Sequence, residues 1–335
     1  MEKKIAVIGA GSWGTALSQA LAGEEYAVSL WTRETELCDA INTRHINTHF
    51  MPGIVLSGKI RASTDIQEVL RKQRLVLLVV PSQYMRGVLK LAGPTLEKGA
   101  ILVSAAKGIE TSTLMRPTEI IHDVLGNHIT CAALSGPSFA KEVIAGMPTA
   151  VTIASHDIET ARELQHTLST KTLRLYAADD VTGVELGGSL KNVIAIAAGI
   201  CDGANIGKSA RAALITRGLA EIIRLGMKMG AKRETFSGLS GLGDLVLTAT
   251  DEQSRNRTVG FRVGKGEHIK DILGSMTMVA EGVQTSVSVK KIAEKLNIDM
   301  PVSAEIYEIL HRGKNAQESI KSLLGRTLKD EHYGF

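Results

Sequence analysis

Six residues near the start of the chain constrain its fold more than any others. Gly9, Gly11 and Gly14, in Gly-Ala-Gly-Ser-Trp-Gly, follow the β-branched run Ile5 to Ile8 directly and open the helix-like stretch Thr15 to Leu21. A second strand-like run, Ala27 to Trp31, comes where a βαβ unit needs it. In that setting the first glycine permits a tight turn and the second lets the backbone approach a pyrophosphate. The third allows helix and strand to pack closely, with the anion at the helix N-terminus. The segment is expected to bind a dinucleotide.

The tip of the second strand decides which one. An acidic residue there binds the ribose 2′-hydroxyl of NAD, whereas an arginine can pair with the 2′-phosphate of NADP. This chain offers Thr32 and Arg33, followed by Glu34, which could turn toward the ribose instead. The expectation is NADPH, with NADH tolerated.

From residue 1 to about 185, short apolar runs alternate with helix-like stretches. Further strand candidates are Leu75 to Val80, Ala100 to Ser104, Ile129 to Ala133, Ala150 to Ile153 and Leu173 to Tyr176. Runs apolar on both faces, such as Leu75 to Val80, suit strands buried between helix layers in a mostly parallel sheet. After about residue 180 the texture changes to long Ala-, Leu- and Ile-rich stretches, Val181 to Cys201, Ala210 to Met229 and Val283 to Leu296. The reading is a Rossmann-type, doubly wound α/β domain over residues 1–185, followed by an all-α domain over residues 186–335.

Composition excludes several alternatives. Lys plus Arg total 39 against 35 Asp plus Glu, with the charges scattered, which argues against nucleic acid as a partner while suiting an anionic small substrate. Cys38, Cys131 and Cys201 lie far apart without CxxC spacing, as reduced thiols would. No cleavable leader is evident, and no run approaches the ~18 uninterrupted apolar residues of a membrane span. A cytoplasmic protein is expected. His45 and His49 lack the companion glutamate of a zinc motif, and Gly203 to Ser209 has the wrong spacing and setting for a phosphate-binding GKS loop. No metal is expected.

Two loops stand where open α/β sheets bind ligands, just past strand ends: Ser104-Ala105-Ala106-Lys107-Gly108-Ile109-Glu110 and Leu134-Ser135-Gly136-Pro137-Ser138-Phe139-Ala140. In Glu185-Leu186-Gly187-Gly188-Ser189-Leu190-Lys191-Asn192, two glycines fall inside an apparent helix, at a cost of roughly 1 kcal/mol each relative to alanine. Something must approach that backbone closely. Lys191 shares a face with Gly188 and precedes the apolar run Val193 to Ile200, where a buried ammonium is expensive without a purpose. A lysine snorkelling to the surface is the competing reading of this segment taken alone.

With these segments in view, the chain resembles the bacterial NAD(P)-dependent glycerol-3-phosphate dehydrogenases nearly end to end. The resemblance rests on GAGSWG, the loop INTRHINTHFMPG, AAKGIE, LSGPSFAKEV, ELGGSLKNVIAIAAGICDG, ARAALITRGLAE, SGLSGLGDL, SRNR and VAEGVQT. It implies reduction of dihydroxyacetone phosphate to sn-glycerol 3-phosphate for phospholipid synthesis. Lys191 corresponds to the general acid/base, with Lys107 and Asp244 beside the reacting centre and touching substrate. The resemblance further implies substrate contacts from Gly136, Ser138, Ser254, Arg255 and Asn256. Cofactor contacts fall on Ser12, Trp13, Arg33, Lys107, Ala140, Arg255, Val279 and Glu281, besides Gly9, Gly11 and Gly14. A homo-oligomer would fit the family. Departures are local: Gly203-Ala204-Asn205-Ile206-Gly207-Lys208-Ser209 replaces a loop richer in Gly and Asp/Asn, and Phe50 stands where tyrosine is common. A related β-hydroxyacid or 6-phosphogluconate-type dehydrogenase and a non-catalytic NADPH sensor are the competing functions; Ser254-Arg255-Asn256 with AAKGIE, and Lys191, respectively count against them.

Overall fold

The computed structural model describes residues 3–24, 26–276 and 278–331. Ten strands occupy the first half: β1 Lys4–Ile8, β2 Ala27–Trp31, β3 Ile46–Asn47, β4 Met51–Val55, β5 Ile60–Ser63, β6 Leu75–Leu78, β7 Ile101–Ser104, β8 Thr130–Ser135, β9 Thr149–Ala154 and β10 Leu173–Ala178. Eight form one sheet in the order β10-β9-β8-β7-β6-β1-β2-β5. All neighbours pair in parallel except β8 and β9. Each expected strand is present. The sequence reading omitted β5 and the small antiparallel ribbon β3-β4. In β5 only Ile60 and Ala62 are buried, a two-residue apolar signal on an edge strand.

The helices among these strands are α1 Ser12–Gly23, α2 Thr35–Arg44, α3 Ile66–Leu70, α4 Ser82–Ala92, α5 Pro117–Leu125, α6 Ala140–Ile144 and α7 Ile158–Leu168. One side of the sheet interior is a continuous core of Ile5, Val7, Leu77, Val103, Ala132, Val151 and Ile153 with Leu17 and Leu21 of α1. That layer is what makes each strand apolar enough to be seen in the sequence.

The second half is helical: α8 Val181–Gly203, α9 Lys208–Lys228, α10 Asp244–Thr250, α11 Arg255–Gly264, α12 Ile269–Gly274, α13 Glu281–Leu296, α14 Pro301–Arg312 and α15 Ala316–Leu324. A single π-helical turn, Leu239–Gly243, leads into α10. Helix α8 is long and apolar enough by length and composition to cross a membrane, but its apolar window is wholly buried. It is the axis of this unit's core, packing Leu190, Ile194 and Ile200 among Ile222, Leu225, Phe236 and Ile292.

The chain divides into two compact units, and the division differs from the expected single cut after residue 185. The first unit comprises residues up to Ala106 and Arg116–Val181; the second takes Lys107–Met115 and everything from Thr182. The excursion 107–115 leaves the sheet after β7 and joins the helices, where the Ser288 hydroxyl donates to the Ile109 carbonyl. Lys107 therefore belongs structurally to the helical unit, although it follows a strand in sequence.

Candidate active site

In the first unit, the glycine turn lies at the point where the strand order reverses. β1 pairs with β2 on one side and β6 on the other, so the carboxyl ends of three parallel strands flank Gly9. Open α/β sheets bind their ligands there. Gly9 has φ +116°, a left-handed conformation that only glycine adopts readily, and a Cβ on it would lie 2.9 Å from the Val79 carbonyl oxygen. A Cβ on Gly14 would lie 1.9 Å from the Gly9 oxygen, so the third glycine is required by packing. Gly11 is different: the space its Cβ would fill is open, and as N-cap it supplies no side-chain acceptor to the first turn of α1. The buried Trp13 Nε1 also has no hydrogen-bond partner. A turn with an open second glycine, an uncapped helix start and an orphaned donor fits a dinucleotide pyrophosphate.

The turn is supported by a residue the motif reading did not single out. Asn47 is fully buried, and its amide donates to the Ala10 carbonyl and the Thr15 hydroxyl, both at 2.8 Å. The Ser12 hydroxyl in turn donates to the Phe50 carbonyl at 3.2 Å, tying the turn between β3 and β4 onto the glycines. At the tip of β2, Arg33 is 81% exposed and pairs with Glu34 at 3.2 Å. Although partial burial opposes it, hydrogen bonds from the Thr32 hydroxyl and the Glu34 backbone, with the Arg33 charge, hold the Glu34 carboxyl below its ordinary value. Gly136 and Ser138 follow β8, with the Ser138 hydroxyl turned back onto the Gly136 carbonyl at 3.0 Å, and Ala140 opens α6.

In the second unit, three of the expected residues converge. Asp244 is almost wholly buried at the start of α10 and receives Lys107 Nζ on Oδ2 and Lys191 Nζ on Oδ1, each at 2.7 Å. Lys191 Nζ also donates to the Thr248 hydroxyl at 2.6 Å, which itself donates to Asp244 Oδ1 at 3.2 Å. Thr248 was not assigned from sequence; its position one turn past Asp244 on the same helix face was the available signal. Two ammoniums thus share one carboxylate out of water, and the Glu281 charge also acts on Lys191. Lys191 is pushed down to about 8, chiefly by burial and further by the Lys107 charge, against the opposing pull of Asp244.

The first glycine of the pair has its explanation here. A Cβ on Gly187 would lie 2.4 Å from the Ser240 carbonyl oxygen, so Gly187 admits the π-turn that carries Asp244 against α8. Such turns recur at functional sites.

Ser254-Arg255-Asn256 forms the start of α11. The Ser254 hydroxyl caps the helix by accepting from Arg257 N at 3.2 Å, while Arg255, an exposed residue whose guanidinium is pulled below its ordinary value by desolvation against the Glu281 charge, donates to the Val279 carbonyl at 3.1 Å. Asn256 donates to Asn192 Oδ1 at 2.9 Å and accepts from Gly282 N, next to Glu281, at 3.0 Å. Asn192 also donates to the Lys107 carbonyl at 3.3 Å. The structure thus joins Lys107, Lys191, Asp244, Asn256 and the 279–282 segment through Asn192 and Thr248, neither of which carried an expectation of its own.

Comparison with known proteins gives the family. The model for the N-terminus of NAD-dependent glycerol-3-phosphate dehydrogenase matches residues 4–161, and that for its C-terminus matches residues 180–321. The chain belongs to the NAD-dependent glycerol-3-phosphate dehydrogenase family. It is 50% identical over 333 residues to the glycerol-3-phosphate dehydrogenase (NAD(P)+) of Citrifermentans bemidjiense, covering 99% of each chain. It is 48% identical over 335 residues to that of Geobacter sulfurreducens, covering 99% of this chain and 100% of the other. The crystal structure of glycerol-3-phosphate dehydrogenase from Coxiella burnetii superposes with a TM-score of 0.93 at 38% identity, over 97% of this chain and 99% of that one.

Proposed function

We propose that this member of the glycerol-3-phosphate dehydrogenase family reduces dihydroxyacetone phosphate to sn-glycerol 3-phosphate with NADPH, tolerating NADH, with Lys191 as general acid/base. The carrying observation is the buried Lys107–Asp244–Lys191 centre, in which both ammoniums share one carboxylate and Lys191 is held at about 8. A bound nicotinamide supplies or accepts the hydride. Lys191 delivers a proton to the substrate C2 oxygen as the ketone is reduced, and the same ammonium stabilises the alkoxide charge that develops there. Asp244 and Thr248 hold Nζ in place, and Lys107 adds a second positive charge. Arg255, Asn256 and Ser254 at the start of α11 make the phosphate site, where a guanidinium and a helix N-terminus both favour a dianion. Gly136 and Ser138 complete the substrate contacts. Ser12, Trp13, Ala140, Arg33, Lys107, Arg255, Val279 and Glu281 join Gly9, Gly11 and Gly14 in holding the dinucleotide. The reading carries a cytoplasmic setting and a role in supplying glycerol phosphate to phospholipid synthesis.

The pH dependence of the two directions tests this assignment. Reduction needs the protonated lysine and oxidation the neutral amine. Ketone reduction is therefore expected to decline as pH rises through about 8, and glycerol 3-phosphate oxidation to rise through the same range. Two profiles with the same limb, or flat profiles between pH 6 and 10, would exclude Lys191 as the titrating group.

Arg33 is expected to set cofactor preference, because its exposed guanidinium stands at the β2 tip beside an ionised Glu34. Arg33→Asp should weaken NADPH use far more than NADH use. Equal changes for both cofactors in steady-state KM measurements would remove Arg33 from the 2′-phosphate site.

A further inference from the structure

Helices α8 and α11 lie side by side in an unusually tight, parallel seam. Asn256 bonds to Asn192 across an offset of 64 residues. The same offset recurs along the seam, where a Cβ on Gly260 would lie 2.0 Å from the Ile196 oxygen and one on Gly264 2.5 Å from the Ile200 oxygen. From the other side, a Cβ on Gly199 would lie 2.1 Å from the Arg257 oxygen and one on Gly203 2.1 Å from the Phe261 oxygen. Each helix thus contributes two glycines one turn apart, and every contact is backbone against backbone, so no side-chain rearrangement can relieve a substitution.

At the far end of α8 the register is locked electrostatically. Asp202 receives Arg257 at 2.6 Å and Arg211 at 2.9 and 3.0 Å, all three side chains being at least three-quarters buried. Arg257 is the residue after Asn256, and its own backbone N–H is the one capped by Ser254. The first turn of α11 is therefore tied to α8 at two points, Asn192 and Asp202. The Asn256–Asn192 bond brings the first turn of α11 beside the stretch of α8 that carries Lys191.

We propose that the seam of Gly199, Gly203, Gly260 and Gly264, locked by Asp202, is a ruler that fixes the phosphate-binding end of α11 relative to Lys191. It makes Asp202 and Gly260 positioning residues for the phosphorylated substrate. The proposal rests on the reading of Lys191 and Arg255-Asn256 given above. A seam of smaller separation than side chains allow holds the phosphate site at one distance from the reacting carbon, and a misplacement of about 1 Å can cost ~10²-fold in rate.

The test compares kcat/KM for dihydroxyacetone phosphate with that for unphosphorylated dihydroxyacetone, which needs no phosphate site. Gly260→Ala, which must push α11 outward, is expected to lower the first about a hundredfold, largely through KM, and to leave the second within about threefold. Asp202→Asn keeps the shape but weakens the lock, and a loss of about threefold to tenfold, again confined to the phosphorylated substrate, is expected. It carries the test if Gly260→Ala fails to fold. Gly226→Ala is the control for destabilisation alone: its Cβ would meet the Phe236 ring at 2.1 Å in the core of the same unit, away from the seam. It should lower Tm without changing the ratio of the two substrates. Equal losses on both substrates from Gly260→Ala and Asp202→Asn, or no change in the ratio, would overturn the ruler. If Arg255→Ala also fails to discriminate between the substrates, the phosphate-site reading itself falls; if Arg255→Ala discriminates and the seam variants do not, only the ruler does.

Discussion

Lys191→Met is expected to give a folded protein that binds NADPH with near-normal affinity but reduces dihydroxyacetone phosphate at least about a hundredfold more slowly. Methionine keeps most of the side-chain length and the apolar stem that α8 buries, so the substitution removes charge and proton while sparing packing. General acid/base help is typically worth ~10² to 10⁴ in rate, and loss of the buried positive charge adds to the deficit. Removing the ammonium does not strand its partner, because Asp244 keeps its 2.7 Å ion pair with Lys107. Stopped-flow single turnover at 340 nm, with NADPH affinity from fluorescence titration, separates chemistry from binding. A variant keeping a tenth or more of the wild-type turnover would falsify the role given to Lys191.

Arg255→Ala is expected to lower kcat/KM for dihydroxyacetone phosphate about tenfold to hundredfold, the equivalent of roughly 1.5 to 3 kcal/mol for one charge-assisted hydrogen bond. At saturating NADPH, which removes the cofactor contact of Arg255 from the comparison, the slow reduction of unphosphorylated dihydroxyacetone should barely change, because that ketone places no dianion at the start of α11. Arg255 is an exposed residue whose guanidinium is nonetheless partly desolvated and donates to the Val279 carbonyl at 3.1 Å, so Tm measured alongside separates any cost in folding from the loss in binding. Equal losses on both substrates at saturating NADPH would remove Arg255 from the phosphate site.

The large features of this fold are legible in the sequence for physical reasons. Strands buried on both faces announce themselves as apolar runs, and the glycine turn announces itself because each glycine answers a separate steric demand. The Gly187-Gly188 pair, costly in a helix, signals a close approach, and the structure shows Ser240 making it at Gly187. What sequence left hidden is of two kinds. Short or half-exposed signals fail, as in β5, where Arg61 interrupts the two buried residues Ile60 and Ala62. Long-range juxtapositions fail as well. Lys107 and Asp244 meet across 137 residues, and the excursion 107–115 changes units without any local marker. Thr248, Asn192 and Asn47 are unremarkable polar residues in sequence, and they acquire meaning only when the groups they bind are brought beside them. The seam of α8 and α11 is hidden for the same reason: four glycines at helical spacing say that something approaches, and not which helix does.

The central claim is that the buried Lys107–Asp244–Lys191 centre serves reduction of dihydroxyacetone phosphate. Its most direct test is the initial rate of absorbance change at 340 nm with the purified protein, read as NADPH consumption with dihydroxyacetone phosphate and, in parallel, as NADPH formation from NADP with 6-phosphogluconate and a β-hydroxyacid. The account predicts rapid, saturable NADPH oxidation that depends on dihydroxyacetone phosphate and yields sn-glycerol 3-phosphate, with no comparable turnover of the other two. A protein that binds NADPH but turns over no dihydroxyacetone phosphate, or that oxidises either acid faster, would contradict it.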